Sequence, residues 1–389
     1  MNFDLTPEQQ AIRDLCRDFA REVVAPAAEE LDRENKFGYD IVRQMGEMGL
    51  FGLPFSEEYG GAGADFLSLC LAIEEISRAD TGVGITLEAA VCLGAAPIYD
   101  FGTKEQKAKW LPDLLAGKTL WAFGLTEPEA GSDAANTKTR AELKNGEWII
   151  NGSKQFITNP GTKISAGVTV TAVTGKANGS ARAEVSTIMI PTATPGYHVL
   201  ESYRKLGWHS SDTHPLSFED CHVPEENLLG APGGGFRQFL HTLMGGRIAI
   251  AALSVGLAQA CLDASLDYAK ERKTFGRPIN QHQAIQFKLA DMAMETELAR
   301  TMVYRAAAAY MHDGKETSDD VRKLAAMAKL YASETSKRAA DQAVQIHGGY
   351  GFMEDYPVAR YYRDAKINEI GEGTSEVQRM LIARLIGAS

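Results

Sequence analysis

Near its C-terminus the chain reads "NEIGEGTSEVQRM", residues 368–380, and sets one carboxylate, Glu372, between Gly371 and Gly373. Helical sequence flanks it on both sides, so two readings stand. An acid beside a helix N-terminus is favoured by the unpaired N–H groups there, and Thr374 or Ser375 is a candidate N-cap. Alternatively, the glycines clear space for the carboxylate and its backbone to approach something else. Two more stretches carry chemistry. "ERKTFGRPI", 271–279, brings three cations to the end of a long helical pattern. It reads as a solvated last turn complementing the helix dipole, or as a phosphate site, since the planar guanidinium fork matches a phosphate. "TEPEAGSD", 126–133, gathers Thr, Glu and Ser in a turn-rich connector. The three stretches form one site only if the fold brings them together.

The elements that must position them fall into three textures. The first third is helical. Thr6 is placed as N-cap, Pro7 at the first helical position, and Gln9 closes a capping box. Ile12, Leu15, Phe19 and Val23 then recur at three- and four-residue steps. From residue 122 the pattern changes. Asn-Gly pairs at 145–146, 151–152 and 178–179 are hairpin signals, among strand-like runs such as "EWII", "AGVTVTAV", "EVSTIMIP" and "LSFEDCHVP". Short turns predict antiparallel pairing. After Pro232 and "GGG" at 233–235 the helical pattern returns. Long Ala-rich stretches follow, one ending at Gly314, the next opening on Ser318 as N-cap and closing on Gly348. Small residues on several faces predict closely packed helices. The expectation is an α+β multidomain protein. It comprises an α-helical domain (1–121), an antiparallel β domain (122–232) and a C-terminal four-helix bundle (233–389).

Composition narrows the function. With 44% hydrophobic and 23% charged residues, the chain is globular and long enough for a large core. Its 51 acidic and 40 basic residues give a net charge of −11. Such a surface repels phosphate backbones and argues against nucleic acid as a partner. The five cysteines are scattered without a CxxC, which predicts free buried thiols. The N-terminus has neither a signal core nor a transit pattern, and no uninterrupted apolar run reaches the ~18 residues of a membrane span. A cytoplasmic protein is expected, although a processed mitochondrial matrix enzyme could begin the same way. "GGAG" at 60–63 and "GGYGF" at 348–352 do not sit in a strand–turn–helix, so no Rossmann site is expected. His209, His214 and His222 lack metal-ligand spacing, and no metal is expected.

Five motifs occurring in order carry a specific resemblance: "LTEPEAGSD", "INGSKQFITN", "ERKTFGRPI", "QIHGGYGF" and "RDAKINEIGEGTSEVQRMLIAR". Over essentially its full length the chain resembles the acyl-CoA dehydrogenase family. The resemblance implies FAD as cofactor, an acyl-CoA substrate, an electron-transferring flavoprotein as acceptor and a homotetramer. It assigns Phe123, Leu125, Thr126, Gly131 and Ser132 to the flavin, with Ser132 also touching substrate. Phe156, Ile157 and Thr158 would lie beside the isoalloxazine. Arg272, Thr274, Phe275, Gln283, Gln345, Gly348 and Gly349 would contact FAD, several of them across a subunit interface. Thr374 and Glu376 would finish the cofactor shell, Arg247 would stand at the substrate mouth, and Gly371 and Gly373 would border the substrate.

The same resemblance makes Glu372 the catalytic base. It would take the Cα proton of an acyl thioester while FAD accepts the Cβ hydride, giving a trans-2-enoyl product. A preorganised N–H in a dry site stabilises the enolate-like oxygen, and the Glu372 amide is the candidate. Burial against the acyl chain would raise the carboxyl toward neutral pH. Three departures stand out. Many relatives carry Tyr where this chain has Gly371, which suggests room for short or α-branched acyl groups. Some carry the base on the helix near Arg247, where this chain has Gly246. Phe156 stands where Trp is common. The alternatives are an oxidase of the same fold using oxygen, or an assembly protein that has lost catalysis.

Overall fold

The computed structural model describes residues 4–176, 183–313 and 318–388. Helix α1 (Pro7–Phe19) starts where the sequence predicts. The Thr6 hydroxyl accepts from Gln9 N and the Gln9 side chain accepts from Thr6 N, so two otherwise unpaired donors are satisfied. Helices α2 (Ala25–Glu34), α3 (Tyr39–Glu47), α4 (Phe66–Ala79), α5 (Thr81–Glu88), α6 (Ala96–Phe101) and α7 (Lys104–Leu115) complete the N-terminal part. A π-helical turn, Ala89–Ala95, joins α5 to α6.

The β part holds β1 (Leu120–Gly124), β2 (Arg140–Lys144), β3 (Glu147–Thr158), β4 (Ser165–Lys176), β5 (Ala183–Pro191), β6 (Tyr197–Val199), β7 (Thr213–Pro224) and β8 (Leu228–Leu229). They form one sheet in the order β6-β7-β3-β2-β4-β5-β8, with β1 beside β4. Most pairings are antiparallel. Two are not: β1–β4, and the single bridge from β2 to β4, are parallel. The sheet is therefore mixed, because β1 arrives from the helical domain and inserts beside β4 without a hairpin. Asn145-Gly146 makes the predicted two-residue turn between β2 and β3, both residues at positive φ. Asn151-Gly152 does not. It lies inside β3, where the register slips and Gly152 takes φ 148. A Cβ there would strike the Thr139 backbone, so glycine serves close approach and a bulge. The pair at 178–179 lies outside the described residues.

The C-terminal part is helical: α8 (Gly235–Glu271), α9 (Gln283–Asp313), α10 (Asp319–His347), α11 (Pro357–Asn368) and α12 (Ser375–Leu385). Between α8 and α9 a small hairpin pairs β9 (Lys273–Thr274) with β10 (Arg277–Pro278). Ser318 caps α10 as expected, whereas Gly314 lies outside the described residues. Helix α8 is buried along its middle by α4, α9 and α10, so the N-terminal helices and the bundle share one apolar core. The β sheet has its own core, and the far end of α8 packs a third cluster with α10 and α11. Two segments, Thr81–Phe101 and α8, are long and apolar enough to cross a membrane by length and composition, yet most of each is buried within the protein. All five cysteines are free and buried.

Candidate active site

The turn between α11 and α12 is built around Glu372. Its φ of 55 is left-handed, a strained region for a residue with a Cβ, and Gly373 follows at φ 97. Thr374 is the N-cap of α12, accepting from Val377 N. Donors from three helices fix the turn. Arg247 Nε (α8) donates to the Glu372 carbonyl at 3.4 Å, Gln378 Nε2 (α12) to the carbonyls of Glu372 and Gly373 at 3.3 and 3.0 Å, and Lys329 Nζ (α10) to that of Gly373 at 2.9 Å. The Glu372 N–H meets no acceptor among the described residues.

The turn aims the carboxyl inward. Glu372 as a residue is half-buried, but both carboxylate oxygens are buried and meet no donor among the described residues. Glu88, at the end of α5, is buried in the same state, and the two carboxyls lie within hydrogen-bonding reach of each other. Burial raises both. It pushes Glu372 up to about 7, against the lowering effects of the Glu88 hydrogen bond, Lys329 and Arg247. Burial and the Glu372 charge push Glu88 well above the carboxylate range. The two carboxyls titrate as a coupled pair, and the Lys329 and Arg247 charges favour the ionised form of Glu372. A buried carboxyl of this kind can take up a proton only when ionised. We expect kcat/KM to fall as pH drops through about 7, measured from pH 5.5 to 9; a flat profile would contradict this role.

Across from the carboxyl lies Gly246 in α8. A Cβ there would fall inside the van der Waals envelope of Glu372 Oε2 and press on Leu93. Alanine is the better helix former by about 1 kcal/mol, so Gly246→Ala should fold. It should nevertheless lose about 10²-fold in kcat, because displacing the carboxylate by about 1 Å misaligns it. Full activity in Gly246→Ala would contradict the contact.

A second group of predicted residues surrounds the β-domain edge. Phe123 (β1) stacks on Phe239 (α8) with ring centroids 4.1 Å apart. Leu125 and Thr126 are half-buried, while Gly131 and Ser132 are exposed. A bulge in β3 throws Phe156 outward at φ 61, leaving it 61% exposed beside Tyr203. Ile157 turns its side chain into the β core, so only its backbone faces the same edge as Phe156, and Thr158 is half-buried. Beneath this edge, Lys154 and Glu127 form a fully buried ion pair at 2.7 Å. The Lys154 ammonium also donates to the Leu125 carbonyl and to Thr171, and so pins the loop that starts there.

The third group sits at the far end of α8. Arg272, Thr274, His347, Gly348, Gly349 and Tyr350 line a cleft of about 460 Å³. Phe275 and Gly276, both at positive φ, make the β9–β10 turn and present the Phe275 ring 97% exposed. Gln283 and Gln345 are exposed nearby in sequence, on α9 and α10. From Gly246 to Arg272 the helix advances some 26 residues, about 39 Å at the helical rise. Within one chain the phosphate-type residues are therefore remote from Glu372.

The donor set fits a flavin dinucleotide. Open aromatic faces at Phe156 and Phe275, a guanidinium at Arg272, and Gly131, Gly348 and Gly349 with open space in place of side chains are the groups a ring, a pyrophosphate and an adenosine require. The three histidines each sit against a different carboxylate, Asp32, Asp212 and Glu147. A larger cleft of about 590 Å³ between α1, α4 and the bundle is lined by arginines and glutamates, several of them paired with each other. Sequence reasoning missed Glu88, Lys329, Gln378 and the Lys154–Glu127 pair. Only the isolated charge of Glu88 and Lys329 in apolar, Ala-rich helices offered a signal.

Comparison with known proteins completes the description. The acyl-CoA dehydrogenase N-terminal, middle and C-terminal domain models match residues 6–118, 122–221 and 233–387. A Bacillus subtilis protein named as a probable acyl-CoA dehydrogenase is 53% identical over 384 residues, 99% of each chain. The structure of butyryl-CoA dehydrogenase from Megasphaera elsdenii is similar at a TM-score of 0.94 and 42% identity, covering 99% of this chain and 100% of that one. A chain from a study of the electron transferring flavoprotein of Acidaminococcus fermentans is similar at 0.94 and 45%, covering 99% of both.

Proposed function

The chain belongs to the acyl-CoA dehydrogenase family, and on that premise we propose that it desaturates a short or α-branched acyl-CoA, with Glu372 taking the Cα proton. The enzyme is an FAD-dependent oxidoreductase. FAD, when bound, supplies the two-electron oxidant for the Cβ hydrogen. The chain's own part is alignment and proton removal. The observation that carries this reading is the Glu372 carboxyl, buried against no polar side chain but the Glu88 carboxyl, raised toward neutral pH and aimed inward by a strained, clamped turn. Its unengaged N–H is the candidate donor to the thioester oxygen as negative charge grows there. The turn sits among buried groups, and exclusion of water by a bound acyl chain would strengthen that stabilisation.

In this reading Phe123, Leu125, Thr126, Gly131, Ser132, Phe156, Thr158, Thr374 and Glu376 hold the cofactor from one chain. Arg272, Thr274, Phe275, Gln283, Gln345, Gly348 and Gly349 hold it from a neighbouring one. The separation of about 39 Å along α8 supports a site shared between subunits. We assign a homotetramer on that basis, with sedimentation mass as its check. Arg247 stands at the substrate mouth. An electron-transferring flavoprotein is the proposed acceptor, and the cytoplasm the proposed compartment.

Substrate class rests on Gly371, where a Cβ would meet only the Ile367 carbonyl, at 3.6 Å. Space for a side chain exists and is left empty. A dye-reduction panel of isobutyryl-, butyryl-, isovaleryl- and octanoyl-CoA tests the class. Highest kcat/KM should fall on the short or branched thioesters. A rate climbing toward octanoyl-CoA would overturn the assignment.

A further inference from the structure

Lys329 lies in α10 among Ala325, Ala326, Ala328 and Ala332, all buried, and is itself 0% exposed. A buried ammonium normally recruits a carboxylate. The other fully buried lysine does so: Lys154 pairs with Glu127 and adds hydroxyl and carbonyl acceptors. Lys329 instead donates to a single backbone carbonyl, that of Gly373 at 2.9 Å. That carbonyl belongs to the residue immediately after the inward-pointing acid, and Gln378 shares it. A buried ammonium with no directly bonded carboxylate has thus been placed under the turn whose aim the chemistry depends on.

We propose that Lys329 is a positioning residue for the reaction: by holding the Gly373 carbonyl it fixes the left-handed turn that aims Glu372, and its positive charge stabilises the Glu372 carboxylate. This rests on the reading of Glu372 as the base. Around Glu372 the titratable and charged groups are Glu88 on α5, Cys92 in the following π turn, Arg247 on α8 and Lys329 on α10. Arg322 acts on Arg247, and Glu369 and Glu376 act on Lys329. A nearby positive charge favours the ionised form of an acid, so removing it raises the pH at which Glu372 ionises. Gln378 provides the neutral control, since it grips the same Gly373 carbonyl, and that of Glu372, without charge.

The test compares Lys329→Met, Lys329→Gln and Gln378→Leu with wild type and with Glu372→Gln. The readouts are flavin content, kcat and KM for butyryl-CoA, and the acid limb of kcat/KM. An activity-independent readout is the pH midpoint of the Glu372 carboxyl infrared band, identified by its loss in Glu372→Gln. Lys329→Met should keep flavin, hold KM within about threefold and lose about 10²-fold in kcat. Its acid limb and infrared midpoint should both move up by about one pH unit. Gln378→Leu should lose kcat without moving the midpoint. Lys329→Gln, which keeps a neutral donor, should show the same midpoint shift and serves should the Met variant not fold. A Lys329 variant with wild-type kcat, or with an unmoved midpoint, would overturn the proposal. If Glu372→Gln turned over at the wild-type rate, the base reading would fall instead.

Discussion

Glu372→Gln should give a yellow, folded, FAD-loaded protein whose turnover falls by about 10³-fold, within the range of a positioned general base. The substitution keeps shape and removes only the proton acceptor. The turn survives it, because the clamps from Arg247, Gln378 and Lys329 all go to backbone carbonyls and none to the carboxylate. Stability should not suffer. A buried carboxylate that faces only another carboxyl costs folding free energy, and a neutral amide costs less. Activity and stability should therefore move apart: kcat collapses while Tm holds or rises. Turnover near wild type by dye reduction, with flavin content confirmed by absorbance, would remove Glu372 from the mechanism.

Lys154→Met should act in the opposite way, through the fold. The ammonium is buried, and its removal leaves Glu127 charged beneath the β edge. Burial would raise Glu127, but Lys154 and the hydrogen bonds from Thr137 and Thr139 hold it down to about 2. Burial wins at the lysine, which is lowered to about 8. Breaking such a pair from one side costs about 3–5 kcal/mol, and a drop in Tm of about 4–6 °C should accompany it. Flavin should be lost as well, because Lys154 anchors the Leu125 carbonyl at the start of the 125–132 loop. The double variant Lys154→Met/Glu127→Leu should recover much of the stability, since the orphaned charge is gone. Differential scanning calorimetry and flavin absorbance check both variants. A single variant as stable as wild type would contradict the account of the pair.

Much of the frame was legible in the sequence, for local reasons. The Thr6–Gln9 capping box, the Ser318 and Thr374 caps and the Asn145-Gly146 turn are decided by neighbours within three or four residues. What failed was non-local. Asn151-Gly152 has the composition of a turn, but Thr139 packs against it from another strand and makes it a bulge. The parallel seating of β1 against β4 has no turn to announce it. At the site, the motifs singled out Glu372, whereas what ionises and aims it comes from far along the chain. Glu88 ends an apolar helix more than 280 residues earlier, and Lys329 reaches Gly373 from another helix. A charge set in "GITLEAAVC" or "AAMAKLYAS" looks like a solvated helix face until neighbouring helices enclose it.

A crystal structure of the FAD-loaded enzyme with a non-reactive butyryl-CoA analogue probes the reading at its root. The account predicts the Glu372 carboxylate against Cα on one face of the thioester and the isoalloxazine on the other, with the Glu372 N–H on the carbonyl oxygen. A carboxylate directed at bulk water, or a different ionisable side chain at Cα, would contradict it.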